Sequence, residues 1–205
     1  MAPFRIDHRV TDAVIGDRHE PWISLMQFVT VWGDTLTLAL VVIGVVVLAW
    51  LAGRIDFAAL IVFGSLTGYG LMAALKLIFA RDRPPVADRL IDVGGASFPS
   101  GHAMMSMIVY GLAAIMAHRM YPRVRRHAWW LLGAPLLVGL VGFSRVYLGV
   151  HWLSDVLFGW LFGLIWVTVC VAAHIQGSRR RQARRAAARA AASSDRSARI
   201  ASMSS

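Results

Sequence analysis

The chain has 205 residues, 58% of them hydrophobic, with a mean hydropathy of +0.60, which excludes an ordinary soluble domain. The net charge of +10 comes mainly from arginine at the ends of apolar blocks, a placement that suits membrane topology rather than nucleic-acid recognition, so no nucleic-acid partner is expected. The single cysteine, Cys170, excludes an intramolecular disulfide and reads as a small residue within an apolar run.

Residues 1–20 open the chain without a continuous apolar core of the signal-peptide kind, so the first span is expected to act as its own insertion signal. HEPWISLMQFVTVWGD, with Trp22 and Trp32, suits a helix lying at the membrane interface, or else a loop folded over the mouth of a bundle. Five apolar windows follow, near 35–52, 57–79, 102–118, 128–143 and 153–174. Each is close to the roughly 20 residues needed to cross the hydrocarbon core. Runs such as LALVVIGVVVLAWLA lack the alternation of a β-barrel strand. The expectation is an all-α, polytopic transmembrane helical bundle: an interfacial segment at 1–34, a spanning domain at 35–175 and a basic tail at 176–205.

Asp34 and Thr35 read as N-caps of the first span, and Pro135 as a kink in the fourth. Gly64 and Gly68, like Gly159 and Gly163, have the spacing that lets helices approach closely within one bundle. Trp50, Trp129, Trp130 and Trp152 read as interfacial aromatics. Arg54, the cluster Arg119, Arg123, Arg125 and Arg126, and the set Arg179, Arg180, Arg181, Arg184, Arg185 and Arg189 fall on one side, which is therefore expected to be cytoplasmic. The tail 176–205 reads as a solvated topology determinant, disordered or partly helical, with anionic headgroups as its other use. The loop 80–101 and the stretch 144–152 then face outward, despite carrying Arg81, Arg83, Arg89 and Arg145.

Three polar clusters lie at that outer end. In the first, Lys76 and Arg83 are nearly two helical turns apart, roughly 10 Å along an axis, and Pro84 turns the chain toward loop at Arg83. In the second, Phe98-Pro-Ser-Gly-His102 starts a span: Ser100 is a cap, Gly101 permits close backbone approach, and free amides there attract an anion. In the third, SRVYLGVHWLSD places His151 and Asp155 four apart, as on one helix face, so that the carboxylate fixes the ring's tautomer. Gly149 lets the chain bend between Arg145 and His151. Three cations, two histidines, a carboxylate and a helix N-terminus together suit a phosphoryl group, one histidine attacking and the other protonating the leaving oxygen. Spacing alone leaves open which histidine attacks. No Asp or Cys/His set offers an evident metal site, so a metal-free mechanism with no cofactor is expected.

These motifs, K-x6-RP from Lys76 to Pro84, PSGH from Pro99 to His102, and SR-x5-H-x3-D from Ser144 to Asp155, closely resemble those of the type 2 phosphatidic acid phosphatase superfamily, which includes vanadium haloperoxidases and bacterial acid phosphatases. The resemblance spans about residues 57–175. It implies that His151 is a nucleophile forming a phosphohistidine, with Asp155 orienting it and His102 as general acid. It also implies that Lys76, Arg83, Arg145, Ser100 and Gly101 bind the phosphoryl oxygens. Many bacterial members have six spans, and no convincing one precedes residue 34 here. The expected function is hydrolysis of a lipid phosphate: phosphatidic acid, phosphatidylglycerol phosphate or a polyprenyl diphosphate. The expected location is the bacterial cytoplasmic membrane, with the site facing out. A phosphotransferase or haloperoxidase using the same pocket, and a small transporter with a polar relay, are the competing readings.

Overall fold

A computed structural model describes the backbone of residues 2–203, and the side chains of 2–184 and 186–188. The side chains of Arg185 and Arg189 lie outside the described residues. All regular structure among the described residues is helical. Two short helices come first, α1 (Arg5–Gly16) and α2 (Glu20–Thr30). Then follow α3 (Thr35–Leu51), α4 (Ile55–Phe79), α5 (Gly101–Met120), the short α6 (Pro122–Arg126), α7 (Gly133–Tyr147) and α8 (Leu153–Met203). The chain divides into two units, Met1–Thr168 and Val169–Ser205, and α8 runs through the division.

Four helical stretches are long and apolar enough to cross a membrane: Ile55–Phe79, Gly101–Met120, Ala128–Tyr147 and the one beginning at Leu153. The fifth expected span takes a different form. α3 has 17 residues, about 26 Å of helix, short for a hydrocarbon core of about 30 Å. With Glu20–Gly33 it makes a pair bent by 49°, and that pair counted as one span gives five. The bend falls at Gly33–Asp34, inside the segment read from sequence as interfacial.

Neighbouring helices pack in chain order: α3 on α4, α4 on α5 and α5 on α7, with α2 and α1 against α7. The small residues on α8 decide how closely it meets α5. A Cβ on Gly159 would lie 3.0 Å from the Ser100 carbonyl oxygen, and one on Gly163 would lie 2.8 Å from that of Met104. Gly68 likewise admits Ile108 and Trp166.

Local chemistry sets the helix ends. α4 stops at Phe79 because Ala80 takes a left-handed conformation, φ 39°. Lys76 therefore lies in the last turn of α4 while Arg83 stands in the loop beyond it, and the two do not share a helical face. α7 ends at Tyr147, and Gly149, at φ 72°, turns the chain toward α8. Pro135 sits in the first turn of α7, where proline is tolerated, just after the 3-10 stretch Ala128–Leu132 that opens the same span. Trp152 is buried, not interfacial: its Nε1 donates to the Asp82 carbonyl at 3.0 Å, and its ring meets His8 edge-on. Because successive spans alternate in direction, the C-termini of α4 and α7 and the N-termini of α3, α5 and α8 gather at one end.

Candidate active site

His151 precedes α8 instead of lying on it, so the four-residue spacing to Asp155 is closed by a turn and not by a helix face. Its Nδ1 faces Asp155 Oδ2 at 3.4 Å and Ser97 Oγ at 3.4 Å. Nε2, on the opposite side of the ring, lies 3.1 Å from Arg83 Nη1. With Nδ1 carrying the proton toward Asp155, Nε2 keeps the ring's lone pair and accepts from Arg83 Nη1. Burial, opposed by the Asp155 hydrogen bond and reinforced by Arg83 and Arg145, pushes His151 from 6.5 down to about 3. The ring is therefore neutral at ordinary pH, the state nucleophilic attack requires.

Asp155 is completely buried and fully engaged. Oδ2 accepts from the Trp152 amide at 2.9 Å and from Ser97 Oγ, while Oδ1 accepts from Arg81 Nη1 at 2.5 Å. The Asp155 carbonyl accepts from the Ser100 amide at 3.0 Å, which ties the start of α5 to the first turn of α8. An ionised carboxylate without water needs this many donors.

The cations surround that core. Arg83 Nη1 donates to the Val150 carbonyl at 2.8 Å, and Nε and Nη2 donate to the Gly95 and Gly94 carbonyls at 2.9 and 3.0 Å. Lys76 Nζ donates to Ala96 O at 2.7 Å. The loop carbonyls thus hold both groups in place, and burial followed by the charge of Arg89 lowers the Arg83 guanidinium below its ordinary range. Arg145 is buried, donates from Nη1 to Thr30 Oγ1 at 2.6 Å, and keeps a buried Nε without a protein partner. Ser100 occupies the N-cap position of α5, yet its Oγ caps nothing and is likewise buried and unpartnered. Buried polar groups are usually paired, and these two each keep one unused hydrogen-bonding position at this end of the bundle. Gly101 leaves room beside the helix start: a Cβ there would stand 3.7 Å from Met72 Sδ and 3.9 Å from Lys76 Cε.

His102 lies in the first turn of α5, with Nε2 2.8 Å from Asp34 Oδ1. Asp34 does hold the N-cap position of α3, but its carboxylate serves His102 and makes no cap bond. An apolar groove of about 440 Å³ reaches His102 and Gly101, lined by Leu38, Val42, Tyr69 and Met72 among others from α3, α4 and α5. A polar cavity of about 410 Å³ opens at Arg83, Arg89 and the Gly94–Ala96 backbone. Among the described residues no group of three or more His, Cys, Asp or Glu is placed to hold a metal ion.

All eight residues singled out in the sequence lie at this end of the bundle. Reading the sequence missed five others: Asp7, Thr30, Asp34 as a partner of histidine, Arg81 and Ser97. Arg81, read as a loop arginine, is buried between two carboxylates, donating to Asp7 Oδ2 at 2.7 Å as well as to Asp155. Asp7 also accepts from the Ser154 amide at 2.9 Å and from the Phe4 amide at 2.8 Å. Although burial opposes it, the bonds from Ser154, Phe4 and Arg81 hold the Asp7 carboxyl below its ordinary 3.8. α1 is thereby fastened to the start of α8.

The PAP2 superfamily profile matches residues 57–178, and the chain belongs to that superfamily. Phosphatidylglycerophosphatase B of Bacillus subtilis (strain 168) is 34% identical over 163 residues, 78% of each protein. An undecaprenyl-diphosphatase of Sulfolobus acidocaldarius is 34% identical over 110 residues, 53% of this chain and 47% of that protein. The crystal structure of a transmembrane PAP2 type phosphatidylglycerolphosphate phosphatase from Bacillus subtilis matches with a TM-score of 0.79 at 27% identity, covering 83% of this chain and 85% of that one. Aquifex aeolicus LpxE shares the fold, with a TM-score of 0.66 at 20% identity over 82% of this chain and 96% of that one. The chain is thus an integral-membrane phosphatase by family and by fold. Asp7, Thr30 and Asp34 all precede the matched region, yet each bonds a residue within it.

Proposed function

We propose that the protein hydrolyses a lipid phosphomonoester on the outer side of the bacterial cytoplasmic membrane, through a phosphohistidine on His151 and without a metal ion. The observation that carries this reading is the junction of two environments at His102: an apolar groove between helices, and a cluster of cations around a neutral histidine. The lipid's apolar part occupies the groove, and its phosphate reaches Lys76, Arg83 and Arg145. The Ser100 hydroxyl and the Gly101 amide complete the cradle for the phosphoryl oxygens.

His151 Nε2 attacks phosphorus as the bond to the lipid oxygen breaks, and His102 gives that oxygen its proton. Water then attacks the phosphohistidine, yielding its proton to His102 and releasing inorganic phosphate. Asp155 holds the ring and stabilises its positive charge once phosphorylated, as carboxylates do in catalytic triads. The relatives named as phosphatidylglycerophosphatase favour phosphatidylglycerol phosphate over a polyprenyl diphosphate, because their similarity extends over most of both chains. The arginine asymmetry of the loops supports the outward orientation.

The test is phosphate release from phosphatidylglycerol phosphate, phosphatidic acid and undecaprenyl diphosphate in mixed micelles, with and without EDTA. The wild-type chain should hydrolyse phosphatidylglycerol phosphate with the highest kcat/KM, indifferent to EDTA, and His151→Ala should release almost nothing. Equal release by His151→Ala would end the mechanism, and a preference for the diphosphate would reassign the substrate.

A further inference from the structure

We infer that Asp34 is a positioning residue for His102, making a second carboxylate–histidine pair that serves the leaving group as Asp155 serves the nucleophile. The inference rests on the reading of His102 as general acid. Three observations place Asp34 in this role. The 2.8 Å contact occupies Nε2 of His102, so the ring can present only Nδ1 to a leaving oxygen, and the tautomer and aim are fixed together.

The backbone next to Asp34 is shaped around that ring. A Cβ on Gly33 would stand 2.7 Å from His102 Cδ2 and 2.5 Å from Val141 Cγ1, so only glycine lets the bent segment come so close. The same segment is pinned on both sides of the site: Thr30 Oγ1 accepts from Arg145 Nη1 at 2.6 Å, and the Trp32 carbonyl accepts from Tyr110 Oη at 2.7 Å. The 49° bend between Glu20–Gly33 and Thr35–Leu51 therefore delivers a carboxylate to a histidine 68 residues away.

Chemistry gives this contact its purpose. The general acid must carry a proton in a site that already holds Lys76, Arg83 and Arg145. Asp155 is committed to Arg81, Ser97, Trp152 and His151, which leaves Asp34 as the carboxylate hydrogen-bonded to His102. In the first step His102, as an imidazolium, passes its Nδ1 proton to the departing lipid oxygen and becomes neutral, its Nε2–H still donating to Asp34 Oδ1. In the second step Nδ1 takes a proton from the attacking water. Asp34 itself neither gains nor loses one.

A leaving group that departs without a proton should make the pair dispensable. The full chain in detergent would be assayed on a long-chain alkyl phosphate and on a nitrophenyl phosphate bearing the same chain. Asp34→Asn, nearly isosteric, should lower kcat on the alkyl substrate by about tenfold or more and on the nitrophenyl substrate by less than about threefold, within the range that general acids contribute. Asp34→Glu should recover part of the loss. On a His102→Ala background, Asp34→Asn should add nothing further. Equal losses on both substrates, or additive losses in the double variant, would assign Asp34 a structural role and overturn the inference. If His102→Ala itself shows no leaving-group dependence, the reading of His102 falls first and the inference with it.

Discussion

At the scale of single residues, the site depends on a histidine kept neutral by burial beside three cations. Because His151 is pushed down to about 3, the unfolded chain binds a proton near pH 6.5 that the folded chain refuses. Stability should therefore fall as pH drops from about 6.5 toward 3, and His151→Gln should flatten that slope in thermal unfolding across pH. The same shift means that the acid limb of kcat/KM should not contain an ordinary histidine ionisation from the nucleophile. Asp155→Asn retains shape but offers Arg81 and the ring a neutral group. It should cost on the order of 10³–10⁴ in kcat, by analogy with triad carboxylates. The eight residues that gather at one end of the bundle were legible because motif spacing survives in one dimension: Lys76, Arg83, Ser100, Gly101, His102, Arg145, His151 and Asp155. Their supports were not. Arg81 meets Asp7 across 74 residues, and Asp34 meets His102 across 68, distances at which no local spacing leaves a trace.

At the scale of helices, composition predicted where the spans lie but not how they end. The apolar windows matched α3, α4, α5, α7 and α8 closely, since about 20 apolar residues in a bilayer leave few alternatives. The bend at Gly33–Asp34 escaped notice because tertiary bonds from Thr30, Trp32 and Asp34 hold it, and a lone Gly-Asp reads equally well as a cap. α1 is fastened by the Asp7–Arg81 ion pair, which has no solvent exposure on either side chain. Asp7→Ala leaves Arg81 with less than its full set of partners in a dry setting. It should destabilise the fold by about 3–5 kcal/mol, read as unfolding in detergent against denaturant or heat. Asp7→Asn should cost less, because it can still accept from the Ser154 amide. On α8, Gly163→Leu would drive a side chain into Met104 and Met107, and overpacking of this kind costs about 1–3 kcal/mol.

At the scale of the whole molecule, the fold brings polar helix ends together at one end of the bundle, and an apolar groove between α3, α4 and α5 reaches them at Gly101 and His102. Orientation is open to direct measurement. With Cys170→Ala as background, a cysteine at the exposed Ala87 should react with a membrane-impermeant maleimide added to intact cells, and one at Arg125 should not. Labelling of Arg125→Cys instead would place the site on the cytoplasmic side.

The central claim, attack by His151, is tested most directly by trapping the intermediate. The full chain would be mixed with phosphatidylglycerol phosphate labelled on its terminal phosphate, quenched within milliseconds, and digested for peptide mapping. The account predicts an acid-labile, base-stable phosphate on the peptide carrying His151, formed and consumed at rates compatible with turnover and missing from His151→Ala. Phosphate on His102 instead, or normal turnover with no phosphoenzyme at any quench time, would contradict it.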